Sequence, residues 1–172
     1  LSGTAANLTG NSSVESYILG DADQTFTIGS AGQNVTTSGS VVSINSDGYD
    51  LTGTIDGTDG DVTLNITGDS NISGADLTDV IVDLAADVSV EIDYSQHGLL
   101  GNADGTNTVT LSGTAANLTG NSSVESYILG DADQTFTIGS AGQNVTTSGS
   151  VVSINSDGYD LTGTIDGTDG DV

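Results

Sequence analysis

Asp56, Asp59 and Asp61 fall within six residues in the segment IDGTDGDV, the densest acidic cluster of the chain. Carboxylates so close repel one another unless a cation sits among them. Calcium takes about six to eight oxygen ligands, and a glycine-rich turn brings carboxylates and backbone carbonyls to one point. These residues, with their counterparts Asp166, Asp169 and Asp171, are therefore candidate calcium ligands. Asp21 and Asp23 in GDADQ, Asp47 and Asp50 in SDGYD, and Asp104 in NADG are sparser candidates of the same kind. The alternative is that all are solvated turn aspartates that hold no ion.

A second chemistry is written in asparagine. Asn7, Asn11, Asn34, Asn65 and Asn71, and again Asn117, Asn121 and Asn144, stand in N-x-S/T sequons, the acceptor pattern for N-linked glycans. The same triplets arise wherever polar and apolar residues alternate in a strand rich in Asn and Thr. His97 in YSQHGLL is the only histidine. It has no second histidine for a metal pair and no nucleophile in a motif, so it reads as a surface or turn residue. Carboxylates are numerous enough for a glycosidase-like pair, but the chain has no tryptophan to stack a sugar. The expectation is that the chain is not an enzyme, with a polysaccharide-acting β-helix as the remote alternative.

These residues recur because the chain repeats. Residues 1–62 reappear without substitution as 111–172, which makes 1–110 one full unit and 111–172 part of a second. A period of this length suits a domain or a group of solenoid turns. Identical modules provide length, reach or avidity, whereas an enzyme needs one unique site. Lys and Arg are absent while Asp and Glu number 24, a formal charge of -24. Such a chain cannot neutralise phosphates, so nucleic acid is excluded as a direct partner. Divalent cations are the natural partners, and they relieve a self-repulsion that otherwise opposes compaction. The chain has neither Cys nor Met, and no apolar run is long enough to span a bilayer. Freedom from sulfur and from trypsin-type cleavage sites fits an exposed extracellular material.

The hydrophobic period is two. VTLNIT (62–67), VSVEIDY (88–94), TVTLSGT (108–114) and QTFTIG (24–29) alternate apolar with polar residues, as half-buried strands do. Clusters of Gly, Asn, Asp and Ser punctuate them. SGADLTDVIVDLAAD (73–87) carries apolar residues at helical spacing but aligns with VESYIL (14–19), and strand is the preferred reading. Openings at Val62, Val88, Val109, Thr135 and Val151 divide one unit into turns of 26, 21, 26, 16 and 21 residues. About five coils of this size suit an all-β, parallel β-solenoid, in which each coil needs a neighbour to cover its edges. An Ig-like β-sandwich bead is the alternative.

NLTGNSSVESYILGDADQTFTI and VTLSGTAANLTG resemble the repeats of large secreted bacterial surface proteins, the RTX-type adhesins and S-layer proteins with calcium-bound β-solenoids. GTDGDVTL (57–64) approaches the RTX nonapeptide once per unit. The resemblance implies a structural protein of the cell surface: a fibre, S-layer component or adhesin stalk. Its partners would be Ca2+, other copies of itself and cell-surface polysaccharide. The sandwich alternative implies a beaded Ca2+-dependent adhesin.

Overall fold

The structure, a computed structural model, describes residues 7–20, 23–38, 42–57, 61–113, 117–130, 134–147 and 152–167. Their strands stack in four sheets. The first orders Asn7–Thr9, Gln24–Thr27, Val42–Asn45, Val62–Ile66, Val80–Leu84 and Leu100–Ala103. The second orders Ser16–Leu19, Asn34–Thr37, Thr54–Asp56 and Asp76–Thr78. The third runs from Ser70–Asn71 through Ser89–Asp93, Thr108–Ser112, Ser126–Leu129 and Asn144–Thr147 to Ile165–Asp166. Asn117–Thr119, Gln134–Thr137 and Val152–Asn155 form the fourth.

Every described pairing is parallel, and strands adjacent in a sheet are never adjacent in the chain. A parallel pair needs a crossover connection, and here the rest of each coil supplies it. The result is a β-solenoid of about eight turns. The sandwich alternative is thereby overturned, because its sheets would be antiparallel.

Pairing register measures the coil. Leu8, Phe26, Ile44, Leu64, Val82 and Leu100 lie opposite one another in succession, and Val35, Ile55 and Leu77 do the same in the second sheet. The steps are 18–22 residues, so one 110-residue unit holds five to six coils. They are more even than the sequence subrepeats suggest, and Val62 lies opposite Val80 rather than one turn before Val88.

The period-two pattern becomes ladders of like residues. Phe26, Ile44, Leu64 and Val82 point inward and are buried, while Thr25, Ser43 and Thr63 between them are only partly covered. Each fully buried aliphatic or aromatic side chain contributes roughly 1.5–3 kcal/mol. The segment that read as helix or strand is two strands, Asp76–Thr78 and Val80–Leu84, with Asp79 between them at a φ of 51°. One helical element interrupts the coil, a 3-10 helix at Tyr94–Leu99. Asp93 caps it by accepting from the Ser95 N–H at 2.9 Å, while Gln96 Oε1 accepts from the Asp93 N–H at 2.8 Å, a capping box. The Ser95 hydroxyl and N–H bonds hold the Asp93 carboxyl below the usual carboxylate range.

Candidate functional site

The chemistry of this chain is concentrated between coils. Three buried glutamines repeat one arrangement. Gln33 Nε2 donates to Asn11 O at 2.8 Å and Val14 O at 2.9 Å, and its Oε1 accepts from Gly29 N at 2.8 Å. Gln143 does the same with Asn121 O at 2.6 Å, Val124 O at 2.9 Å and Gly139 N at 2.7 Å. Gln96 donates to Ile72 O and Ala75 O, each at 2.8 Å. In every case the clamped carbonyls belong to a turn of the preceding coil. An asparagine opens each turn: Asn11, Asn71 and Asn121 each accept, through Oδ1 at 2.9 Å, the N–H of Ser13, Ser73 and Ser123. One amide thus satisfies three backbone groups, which around Gln96 and Gln143 are largely covered and around Gln33 are in part open to water.

Close approach of the coils is permitted by glycine. A Cβ on Gly29 would collide with the carbonyl oxygen of Gly10, and one on Gly139 with that of Gly120. These collisions are backbone against backbone, so no rotamer relieves them.

The acidic residues act on the backbone as well. Asp50, Asp69 and Asp83 accept, each at 2.7 Å, from the N–H groups of Asn71, Ser89 and Asn102, one coil further on. Asp87 accepts from Thr106 N at 3.3 Å. Asp50 and Asp69, with Glu91, line an open groove of about 350 Å³. Only Asp50 among these belongs to the aspartates singled out as candidate calcium ligands; its pair Asp47 is exposed in a turn at a φ of 54°. Of the other candidates, Asp56 and Asp166 are strand residues, while Asp23, Asp61 and Asp104 lie exposed beside strands. Asp21, Asp59, Asp169 and Asp171 lie outside the described residues. Among the described residues no three acidic or histidine side chains converge on one point. A calcium site in the segment 56–61 would draw on Asp59, which lies outside the described residues.

The sequon asparagines are mostly occupied in stacking. Asn65 Nδ2 donates to Ser43 Oγ at 2.8 Å and Asn45 Oδ1 at 3.2 Å, forming an amide ladder across coils. Asn34 and Asn144 accept from Thr54 N at 2.8 Å and Thr164 N at 2.9 Å. Asn121 Nδ2 donates to Leu100 O and Gly101 O, each at 3.0 Å. A glycan on Asn65 or Asn121 would replace one of these donors. Asn7 and Asn117 are exposed at the starts of their strands.

His97 is not a surface residue. It lies in the 3-10 helix at 7% exposure, with Nε2 at 3.2 Å from the hydroxyl of Tyr127. That hydroxyl also accepts from Asn121 N at 2.8 Å, and the Tyr127 ring packs on Phe136 with centroids 4.9 Å apart. Burial pushes the His97 pKa down to about 4 and, for the same reason, raises that of Tyr127. Burial likewise pushes Tyr94 up to about 12. The folded state therefore holds His97 neutral, whereas the unfolded chain binds its proton near pH 6.5. Its contribution to stability is complete above about pH 6.5 and is lost as the pH falls towards about 4. The melting temperature of the native chain minus that of His97→Phe should shrink from pH 7.5 to pH 5. A difference that grows over this window would refute the buried neutral imidazole. Because the carboxylates are common to both chains, they cancel in the comparison.

No described helix is long and apolar enough to cross a membrane. Comparison with protein-family models, with curated proteins and with solved structures finds no match to this chain.

Proposed function

We propose that this chain is a segment of an extracellular structural repeat protein, a surface fibre, S-layer component or adhesin stalk that gains length by adding coils. One observation carries the reading: identical residues are exposed or buried according to whether another coil covers them. Val14 is 40% exposed and its copy Val124 is 1% exposed, while Leu51 is 3% exposed and its copy Leu161 is 41% exposed. The core of each coil is completed by its neighbour, which is the property of an open, quasi-one-dimensional array. Repetition without substitution, the absence of sulfur, and the lack of lysine and arginine support an exposed setting at a cell surface. In this reading the protein is not an enzyme. The acidic turns take divalent cations, Ca2+ among them, and the array presents polysaccharide-binding or cohesive surfaces at a distance from the cell.

The test is to lengthen the chain by one and by two whole 110-residue units. With coils stacked about 4.8 Å apart, each unit should add roughly 24–29 Å of contour length by electron microscopy. Particles that thicken instead of lengthening, or polysaccharide hydrolysis by the present chain, would overturn the reading. Melting the same proteins in chelator and in Ca2+ at equal ionic strength addresses the cation component, which requires higher melting in Ca2+.

A further inference from the structure

We propose that the face formed by Asn11, Val14, Glu15 and Tyr17 is a docking surface, and that its partner is the coil spanning residues 88–113 of another copy of this repeat. The second copy of the same sequence shows how the two fit. There Asn121 donates to Leu100 O and Gly101 O, and Ser126 N donates to Asn107 O at 3.0 Å. Glu125 Oε2 accepts from Asn107 N at 2.8 Å, and the Tyr127 hydroxyl meets His97. The strand Thr108–Ser112 pairs in parallel with Ser126–Leu129, placing Val109 opposite Tyr127. In the first copy Asn11, Val14, Glu15 and Ser16 are exposed, and Tyr17 is half-buried.

The free face already has the bound shape. Asn11 N donates to the Tyr17 hydroxyl at 2.6 Å, as Asn121 N donates to that of Tyr127 at 2.8 Å. Both turns close on their asparagine, and both are held from behind by a glutamine. Tyr17 packs on Phe26 with centroids 4.7 Å apart, close to the 4.9 Å of Tyr127 and Phe136. Docking therefore demands little ordering.

The partner coil is also specific. Asn107 is fully buried and is fixed by its own bonds, Oδ1 accepting from Val88 N at 2.9 Å and Nδ2 donating to Asp104 O at 2.7 Å. That leaves its backbone N–H and carbonyl aimed at Glu125 and Ser126. His97 occurs once per unit, so any other coil leaves the tyrosine hydroxyl without this partner, and the Asn107 side chain fixes the backbone that meets Glu125 and Ser126. Together they set the register in which one unit follows another.

The inference rests on the array reading in one respect, that another unit stands ahead of this face. It is tested by placing the sequence of residues 63–110 in front of Leu1 and mapping tyrosine nitration by tetranitromethane. In the present chain Tyr17 should react and Tyr127 should be protected. In the extended chain Tyr17 should slow by at least about tenfold, to the level of Tyr127. Replacing the added copy of His97 by alanine, which removes the imidazole that meets the tyrosine hydroxyl, should speed the reaction of Tyr17 again. A Tyr17 that reacts equally in both chains overturns the docking surface, even where electron microscopy shows that the extended particle is longer. An extended particle with no added length overturns the array reading with it.

Discussion

Gln143→Ala is expected to destabilise the chain by roughly 2–6 kcal/mol, a large part of the 5–15 kcal/mol typical of a folded domain. The side chain is 1% exposed and holds Asn121 O, Val124 O and Gly139 N at 2.6–2.9 Å. Removing it leaves the Val124 carbonyl and the Gly139 N–H without this partner, while Asn121 O keeps the Val124 N–H at 3.1 Å, and each orphaned buried group costs about 1–3 kcal/mol. Gln143→Glu keeps the shape but aims a carboxylate at two carbonyls, so it should be no better. Gln33→Ala should cost less, because the turn it clamps, Asn11 to Val14, is exposed and water can replace the amide. Thr147→Val is the internal control: Thr147 is buried and its hydroxyl has no hydrogen-bond partner among the described residues, so the change should be neutral or stabilising. Urea titration followed by circular dichroism measures all four. A loss below about 1 kcal/mol for Gln143→Ala would refute the clamp.

Gly139→Ala should cost roughly 2–4 kcal/mol although it adds a single methyl group. The new carbon collides with the Gly120 carbonyl of the coil before it, and relief requires separating hydrogen-bonded strands. Gly142→Ala, three residues later, is the contrast. Its nearest neighbour is Thr162 Oγ1 at 4.0 Å, so alanine fits, and the stiffer unfolded chain should raise stability by about 0.4–1 kcal/mol. Equal melting temperatures for the two variants would show that coil spacing is not set by backbone contact at Gly139.

The strands and their parallel stacking are legible because alternation and subrepetition are written in residue type. VTLNIT, VSVEIDY, TVTLSGT and QTFTIG all contain strands near their expected limits. Coil boundaries are harder, since similar V-x-L openings occur in different sheets and only hydrogen-bond register separates Val80 from Val88. The 3-10 helix carries a readable signal, Asp93 with Gln96 three residues on, which alternation through Ile92 obscures. Glutamine gives no hint of burial by type. The recurrence of Gln33 and Gln143 at the same distance behind Asn11 and Asn121 is the available clue, and Gln96 behind Asn71 repeats it with a different spacing. Aspartate has a further role that residue type does not announce. Asp50, Asp69 and Asp83 each give one oxygen to the next coil's N–H. That partner is about twenty residues away and is invisible to local pattern.

The register step has a mechanical meaning. Strands lie across the stacking direction, so a pull on the two ends loads one inter-coil ladder at a time instead of shearing many together. Each ladder that opens frees a coil of 18–22 residues, roughly 60–75 Å of slack, and passes the load to a nearly equivalent successor. Under tension such a stack should act as a reel that unspools in even increments, with its slack set by the number of coils.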